Sequence, residues 1–372
     1  MLTLAPTHAF ERGRVERLLR ARQPLHVRLT HIDGKLTNLA LMKLAAFHRE
    51  RGDTVTLTRN VQRGLFEPEY DIVYGSTIFT RSMPLVRALR REFPGALIGG
   101  TGLYGESSSD WLLTIEQLIG KPVYEEYDYS IYDYAGFSAS LGFTQRGCRM
   151  GCRFCSVPEK EGRVQEVNTI ANIWRGGSHP RTIHLLDNDF FGQSREAWEA
   201  RIDEMRSGAF AVCLNQGINV RAIDATIAQA IATIPYMDDS FTKPRLYTAW
   251  DNIANERPFV RGVELLGDAG IRPEHLLVYM LVGFDEAETW DRVFVRFNRM
   301  VSLGVRPFPM VFEKQPGESN NALPFRELKA FQRWAVRKFY EFVPWAEYRV
   351  STRAKRDQFH DHARQLGLWP ET

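Results

Sequence analysis

A chain of 372 residues, 44% of them hydrophobic, can bury a sizeable core, and at roughly 100–200 residues per domain it is long enough for about two domains. Its formal net charge of +3, from 48 basic and 45 acidic residues, excludes a polycationic nucleic-acid binder and leaves the surface mixed in sign. No apolar run approaches the roughly 18–20 residues a membrane span needs, and the N-terminus MLTLAPTHAFERGRVERLL has no basic segment followed by an apolar one. The expectation is a soluble cytoplasmic protein with no membrane partner.

In chain order, PLHVRLTHI (24–32) has the alternation of a strand, and TNLALMKLAAFHRERG (37–52) follows with apolar residues at helical spacing and a glycine stop. TVTLTR (54–59) and YDIVYGSTIF (70–79) read as further strands. MPLVRALRREFPG (83–95) is a short amphipathic helix, ALIGGTGLYG (96–105) a strand entering a glycine-rich turn, and SDWLLTIEQLIG a closing helix. This alternation predicts a small doubly wound parallel sheet whose ligand crevice lies beyond the strand C-termini. VYEEYDYSIYDYAG (123–136) then breaks the periodicity as an ordered linker.

From residue 138 the alternation restarts with longer units. ASLGFTQRG leads into a cysteine loop, RTIHLLDNDFFG (181–192) is a second strand, and FAVCLNQGINV (210–220) a third. PRLYTAWDN (244–252), HLLVYMLVGFDE (275–286) and RPFPMVFEK (306–314) complete six strands, with helical segments between them. Six such repeats predict a partial (β/α)6 barrel with its chemistry at the strand C-termini. The fold class expected is therefore α/β, a small doubly wound N-terminal domain followed by a six-stranded partial barrel.

Three of the four cysteines crowd into GCRMGCRFC (147–155), while Cys213 stands apart. In a reducing compartment that distribution reads as metal or redox chemistry rather than a disulfide framework. A closed structural zinc site wants four ligands, and Cys148, Cys152 and Cys155 with Cys213 or His184 make a formal set. The paired C-x₂-C knuckles usual for zinc are missing, however. Three thiolates on a cubane iron–sulfur cluster leave one iron open to bind a substrate.

C-x₃-C-x-φ-C, with the aromatic Phe154 before the third cysteine, resembles the signature of the radical S-adenosylmethionine superfamily, where it follows the first strand of a six-stranded partial barrel. The resemblance implies that Cys148, Cys152 and Cys155 ligate a 4Fe–4S cluster and that S-adenosyl-L-methionine chelates the fourth iron. One-electron cleavage then yields a 5′-deoxyadenosyl radical that abstracts hydrogen from substrate, with the electron from a flavodoxin- or ferredoxin-like donor. Cofactor contacts carried over by position are Phe154, then Asp187, Asn188 and Asp189 at the end of the second strand, where the family's Gly-Gly-Glu is lacking. Asp251 and Asn252 end the fourth strand. Leu281, Gly283 and Glu286 match the family's G-x-I-x-G-x-x-E segment, with Tyr279 in place of its first glycine. Each of these polar groups taken alone equally suits a helix cap.

Cys213 reads either as a buried core thiol or as a catalytic hydrogen-atom donor. Asn215, Gln216, Asn219 and Arg221 form a polar run on what should be a barrel-lining strand. Polar groups buried without partners cost about 1–3 kcal/mol each, so the run is expected to face a polar substrate.

LALMKLAAFHRERGDTV and ALIGGTGLYG resemble the cobalamin-binding-type domain that precedes the barrel in one class of this superfamily. The division implied is 1–122 cobalamin-binding-like domain, 123–137 linker, 138–315 radical barrel and 316–372 helical extension. The D-x-H-x-x-G motif is absent: His31 precedes Asp33 and Gly34 in the wrong order, and His48 lies mid-helix. Cobalamin therefore stays an open but not favoured cofactor. With it, the chemistry would be methyl transfer; without it, isomerisation or rearrangement. The layout is similar to phage-type radical isomerases acting on amino-acid-decorated thymine in hypermodified DNA. For a nucleic-acid substrate, Arg81, Arg87, Arg90 and Arg91, with Arg349, Arg353, Lys355 and Arg356, offer phosphate contacts. FQRWAVRKFYEFVPWAEY offers either stacking faces or a core stripe. A non-enzymatic iron–sulfur redox protein is the remaining alternative.

Overall fold

The computed structural model describes residues 8–21, 23–103, 114–132, 138–313 and 317–348. The chain divides into two compact units, Met1–Gln216 with Thr233–Lys243, and Gly217–Ala232 with Pro244–Thr372. The fold is α/β, and each unit is built on parallel sheets.

The first unit begins with α1 (His8–Arg20), β1 (His26–His31), α2 (Leu39–Glu50), β2 (Thr54–Thr58), β3 (Ile72–Ser76), α3 (Met83–Glu92), β4 (Leu97–Gly99) and α4 (Ile115–Ile119). Its four strands are parallel in the order β2-β1-β3-β4. Strand alternation supplies two cores. Val27, Leu29, Ile72 and Tyr74 pack with Leu41 and Leu44 of α2, while Val73 joins Val86 and Leu89 of α3 on the opposite face. Gly75 allows α3 to approach, since a Cβ there would stand 2.8 Å from Leu89 Cδ2. Arg28, fully buried, lies 4.6 Å from the centre of the Phe93 ring. It ties down the following loop through Glu67 (3.0 Å) and the carbonyls of Asn60 and Gln62.

The same unit continues with β5 (Ser140–Gly142), β6 (Gln145–Arg146), α5 (Val157–Glu161), β7 (Gln165–Glu166), α6 (Ile170–Ile173), β8 (Thr182–Leu185), α7 (Arg195–Ser207) and β9 (Ala211–Leu214). β5, β8 and β9 form a second parallel sheet in that order. β6 and β7 are a short antiparallel pair, Gln145 opposite Glu166. The 210–220 segment does not run on as one strand. β9 ends at Leu214, and Gly217 (φ +88°) turns the chain where a Cβ would meet the Tyr247 carbonyl oxygen at 3.0 Å.

The second unit holds α8 (Ala225–Ala232), β10 (Leu246–Ala249), α9 (Glu256–Asp268), β11 (Leu276–Val282), α10 (Trp290–Ser302), β12 (Arg306–Val311), α11 (Phe325–Val336) and α12 (Trp345–Tyr348). Its parallel order is β10-β11-β12. Pro307 and Pro309 sit on the last strand of that order, where a missing N–H is tolerated. The aromatic stripe of 331–348 is packed inward at Phe331 and Trp334 and exposed at Phe342. Phe331 and Trp334 are buried, and Trp345 lies 5.4 Å from Trp290 and 5.6 Å from Trp334. Phe331 and Trp334 therefore offer no open ring for a base to stack on. Arg349, Arg353, Lys355 and Arg356 lie outside the described residues, as do linker positions 133–137 and the start of the closing helix. Among the described residues no helix is long and apolar enough to cross a membrane.

Arg296, 1% exposed, is the polar centre of this unit. It donates to the carbonyls of Trp250 (3.1 Å), Asp251 (3.0 Å) and Leu281 (3.0 Å) and pairs with Glu288, so one side chain joins the ends of β10 and β11. Replacing Arg296 with Leu should cost about 3–5 kcal/mol, because Glu288 and three carbonyls lose their partner. Replacing Glu288 as well should recover part of that loss. Urea denaturation of the single and double variants measures both, and a loss below about 1 kcal/mol in the single variant would contradict this role.

Candidate functional site

The cysteine loop spans the tip between β6 and β7. Gly147 (φ +77°) opens it, and a Cβ there would lie 2.2 Å from the Arg163 carbonyl oxygen, so only glycine fits. The Cys148 amide donates to the Gly162 carbonyl (3.2 Å), and the Cys155 amide to Cys152 (3.0 Å). The Met150 amide points at Cys148 Sγ (3.4 Å). All three thiols are half-buried and free of disulfides. Burial pushes the Cys148 thiol up, and the charges of Asp189, Cys152 and Cys155 add to that.

The loop has few apolar side chains, so charged groups hold its shape. Arg146 makes a two-pronged contact with Glu161 (2.9 and 2.6 Å), and Glu161 also accepts from the Gly147 amide (3.1 Å) and Asn188 (2.7 Å). Asp187, 4% exposed, accepts from the Thr144 and Gln145 amides (2.7 and 3.2 Å) and the Thr144 hydroxyl. Asp189 pairs with Arg149 (2.9 Å). The side chains of residues 187–189 thus brace the loop from the end of β8. Phe154 is exposed at its rim.

A cavity of about 720 Å³ lies within this unit. One wall is the C-terminal edge of the first sheet, with Asn38, Ser76 and Gly99; the other carries Phe143, His184 and Asn215, with Gln216 beside it. His184 Nδ1 stands 3.0 Å from Asn215 Oδ1, so Nδ1 carries the proton and donates. Burial pushes His184 down, which keeps the ring neutral. Cys213 is fully buried in register with His184, one pleat before Asn215. Lys160 and Arg146 also line the cavity.

The remaining expected residues belong to the second unit. Arg221 Nε lies 3.4 Å from Asn219 Oδ1; Arg221 is in the short turn Val220–Ala222 and Asn219 precedes it, so neither is on a strand. Asp251 accepts from the Leu281 amide (2.8 Å); burial pushes its pKa up, against the pull of Arg296 and Arg221. Asn252 caps the turn after β10 through the Ala254 amide (2.9 Å). Gly283 (φ +83°) donates to Glu288 (2.8 Å). Glu286 is exposed, and Glu288, two residues on, is the acid that holds the strand end. Sequence reading passed over Glu288, Glu161 and Lys160, and considered His184 only as a zinc ligand.

In the first sheet the strand-end donors are already engaged. Asp33 accepts from the Ile78 amide (2.7 Å), the Phe79 amide (3.0 Å) and the Thr77 hydroxyl (2.8 Å), in the crevice between β1 and β3 where a ligand would otherwise sit. His31 is hydrogen-bonded to Tyr132 (2.9 Å), and burial with Arg59 pushes it down to about 4. His48 lies between Asp53 (2.6 Å) and Tyr74 (3.2 Å). Burial pushes its pKa down too, so the Asp53 contact is a hydrogen bond from a neutral ring rather than an ion pair. Among the described residues no three or more Cys, His, Asp or Glu side chains are gathered into a set that could hold a metal ion.

Compared with known proteins, the chain matches no family model and no curated relative.

Burial pushes Asp187 from 3.8 up to about 7, against the hydrogen bonds from Thr144 and Gln145. Between those values the unfolded chain has lost the proton and the folded chain retains it. Asp187 therefore makes stability fall as pH rises from about 4 to about 7, and has no further effect above that. The urea midpoint of Asp187→Asn should fall less across this range than that of the unaltered protein. An identical pH slope in the two proteins would contradict the assignment.

Proposed function

We propose that the chain is a radical S-adenosylmethionine enzyme, a member of the class with a cobalamin-binding-type N-terminal domain, and that Cys148, Cys152 and Cys155 hold a 4Fe–4S cluster. The observation that carries this reading is the loop itself. Three half-buried thiols, free of disulfides, are presented beyond a strand of a parallel sheet and braced by buried carboxylates, in the same unit as a cavity of about 720 Å³. The donor set fits the cluster in number and kind, three thiolates with a position left for another ligand. When bound, the cluster and S-adenosylmethionine would supply one-electron cleavage to a 5′-deoxyadenosyl radical, the electron coming from a flavodoxin- or ferredoxin-like donor.

The chain's own residues do the rest. Glu161, Arg146 and Asp187 fix the loop. The carboxylates of Asp187 and Asp189 are engaged with the loop, so the 187–189 segment would meet the methionine group through backbone carbonyls. Asp251, Asn252, Leu281 and Gly283 are proposed for the remainder of the cofactor. The strands β5, β8 and β9, and in the second unit β10, β11 and β12, are the six that a partial barrel would use. The cavity would hold the substrate against His184, Asn215 and Gln216 and keep water from the reacting carbon.

The outcome we favour is isomerisation or rearrangement of a modified nucleobase, an amino-acid-decorated thymine in DNA, which would have to be flipped out to reach the site. A cobalamin-dependent methyltransferase would use the same cavity. Against that reading, Asp33 occupies the crevice of the first sheet, and His31 and His48 are held by internal partners.

Anaerobically reconstituted, reduced protein should convert S-adenosylmethionine to 5′-deoxyadenosine, measured by chromatography. Alanine at Cys148, Cys152 or Cys155 should abolish both that product and the thiolate-to-iron absorbance near about 400 nm. Absence of 5′-deoxyadenosine from the fully loaded protein would sink the radical reading, and an iron–sulfur redox protein would then remain.

A further inference from the structure

Lys160 lies on α5, just after the cysteine loop, and lines the cavity together with Arg146 and Glu116. The acids around it already have partners. Glu116 and Glu125 accept from Lys43 (2.7 and 2.6 Å), and Glu161 holds Arg146, the Gly147 amide and Asn188. Among the described residues the half-buried Lys160 ammonium has neither a hydrogen bond nor an ion pair. Lys160 also lines a second hollow of about 460 Å³, whose wall shares Thr114, Glu116 and Arg146 with the cavity, so it stands where the two adjoin. His184 on β8 and Asn215 just past β9 line the same cavity. That side is neutral apart from Asp239.

We propose that the cavity takes a substrate bearing an oxyanion, a carboxylate or a phosphate, and that Lys160 is the residue that recognises it. The physical reason is the desolvated cation: an ammonium held partly out of water, in the field of Glu161 and Glu116 but in direct contact with neither, is incompletely compensated, and an entering anion offsets that cost while forming a charge-assisted hydrogen bond. Burial pushes the lysine's pKa down, with Arg146 adding to it and Glu161 and Glu116 opposing it; an anion would push it back up. The His184–Asn215 pair would hold the neutral, hydrogen-bonding part of the same molecule. This assignment rests on the radical-enzyme reading and names the substrate class of its cavity.

The test measures equilibrium binding to full-length, cluster-loaded protein with three probes that differ in one group. They are a deoxyuridine with a neutral hydroxymethyl group on the base, the same nucleoside with a carboxymethyl group instead, and the 5′-monophosphate of the neutral one. The unaltered protein should bind one anionic probe at least about tenfold tighter than the neutral one. Which of the two is preferred identifies the anion as base-borne carboxylate or as phosphate. Lys160→Gln should erase that preference, and Lys160→Arg should keep most of it. Circular dichroism and iron content check that both variants fold and load. A preference that survives in Lys160→Gln, or no anion preference in the unaltered protein, overturns the assignment. The radical reading is judged separately, by 5′-deoxyadenosine formed without any probe, so if no probe binds while that product forms, only the Lys160 assignment falls.

Discussion

The structure of the cysteine loop depends on burying carboxylates where amides need acceptors. The pairing of β6 with β7 is only two residues long on each side, and the segment between them carries few apolar side chains to collapse on. Glu161 and Asp187 take the place of a core there. Between them they receive the amides of Thr144, Gln145 and Gly147, the Arg146 guanidinium and the Asn188 amide group. Hydrogen bonds of this kind are directional, which hydrophobic contacts are not. They can hold three thiols at the surface of a sheet without covering them.

The same requirement explains which parts of the site were legible in the sequence. The cysteine spacing and Gly147 are local, and they could be read directly. The N-terminal sheet was equally legible, because its strands alternate apolar and polar residues between helical segments, and the segment through β1 matches the structure to within two residues at its start and one at its end. The supports were not legible. Glu161 looks like one more charge on a short helix, and its partners are named only by the antiparallel return of β7. Glu286 and Glu288 are two residues apart in a turn, and nothing local distinguishes the exposed acid from the one Arg296 holds. The polar run from Asn215 to Arg221 falls on the segment FAVCLNQGINV, which reads as the third strand of the barrel, and just past it. Gly217 at positive φ breaks that strand, and Asn219 and Arg221 fall beyond the cut.

The cavity was invisible for a further reason: it is assembled from segments far apart in the chain, each polar residue of which has an adequate local explanation. Asn38 caps α2 through the Leu41 amide (3.2 Å) and donates to Ser76 (2.9 Å). His184 and Asn215 satisfy each other. Only their common position on one cavity wall or another sets them apart, and that position is a property of sheet order rather than of any motif.

Within the first unit the two parallel sheets treat their C-terminal ends differently, and this bears on where chemistry can occur. In the first sheet, Asp33 closes the crevice between β1 and β3 from inside, so an incoming anion there would have to displace a carboxylate that already holds two amides and a hydroxyl. In the second, His184, Asn215 and Gln216 line the cavity, and the segment beyond β5 carries both the thiols and Lys160, which makes no hydrogen bond or ion pair among the described residues. The second edge presents a neutral hydrogen-bonding pair and a lysine to the cavity, whereas at the first the Asp33 carboxylate is turned inward onto its own sheet. The first sheet thus gives the cavity the wall with Asn38, Ser76 and Gly99, and the ends of β8 and β9 give it His184 and Asn215.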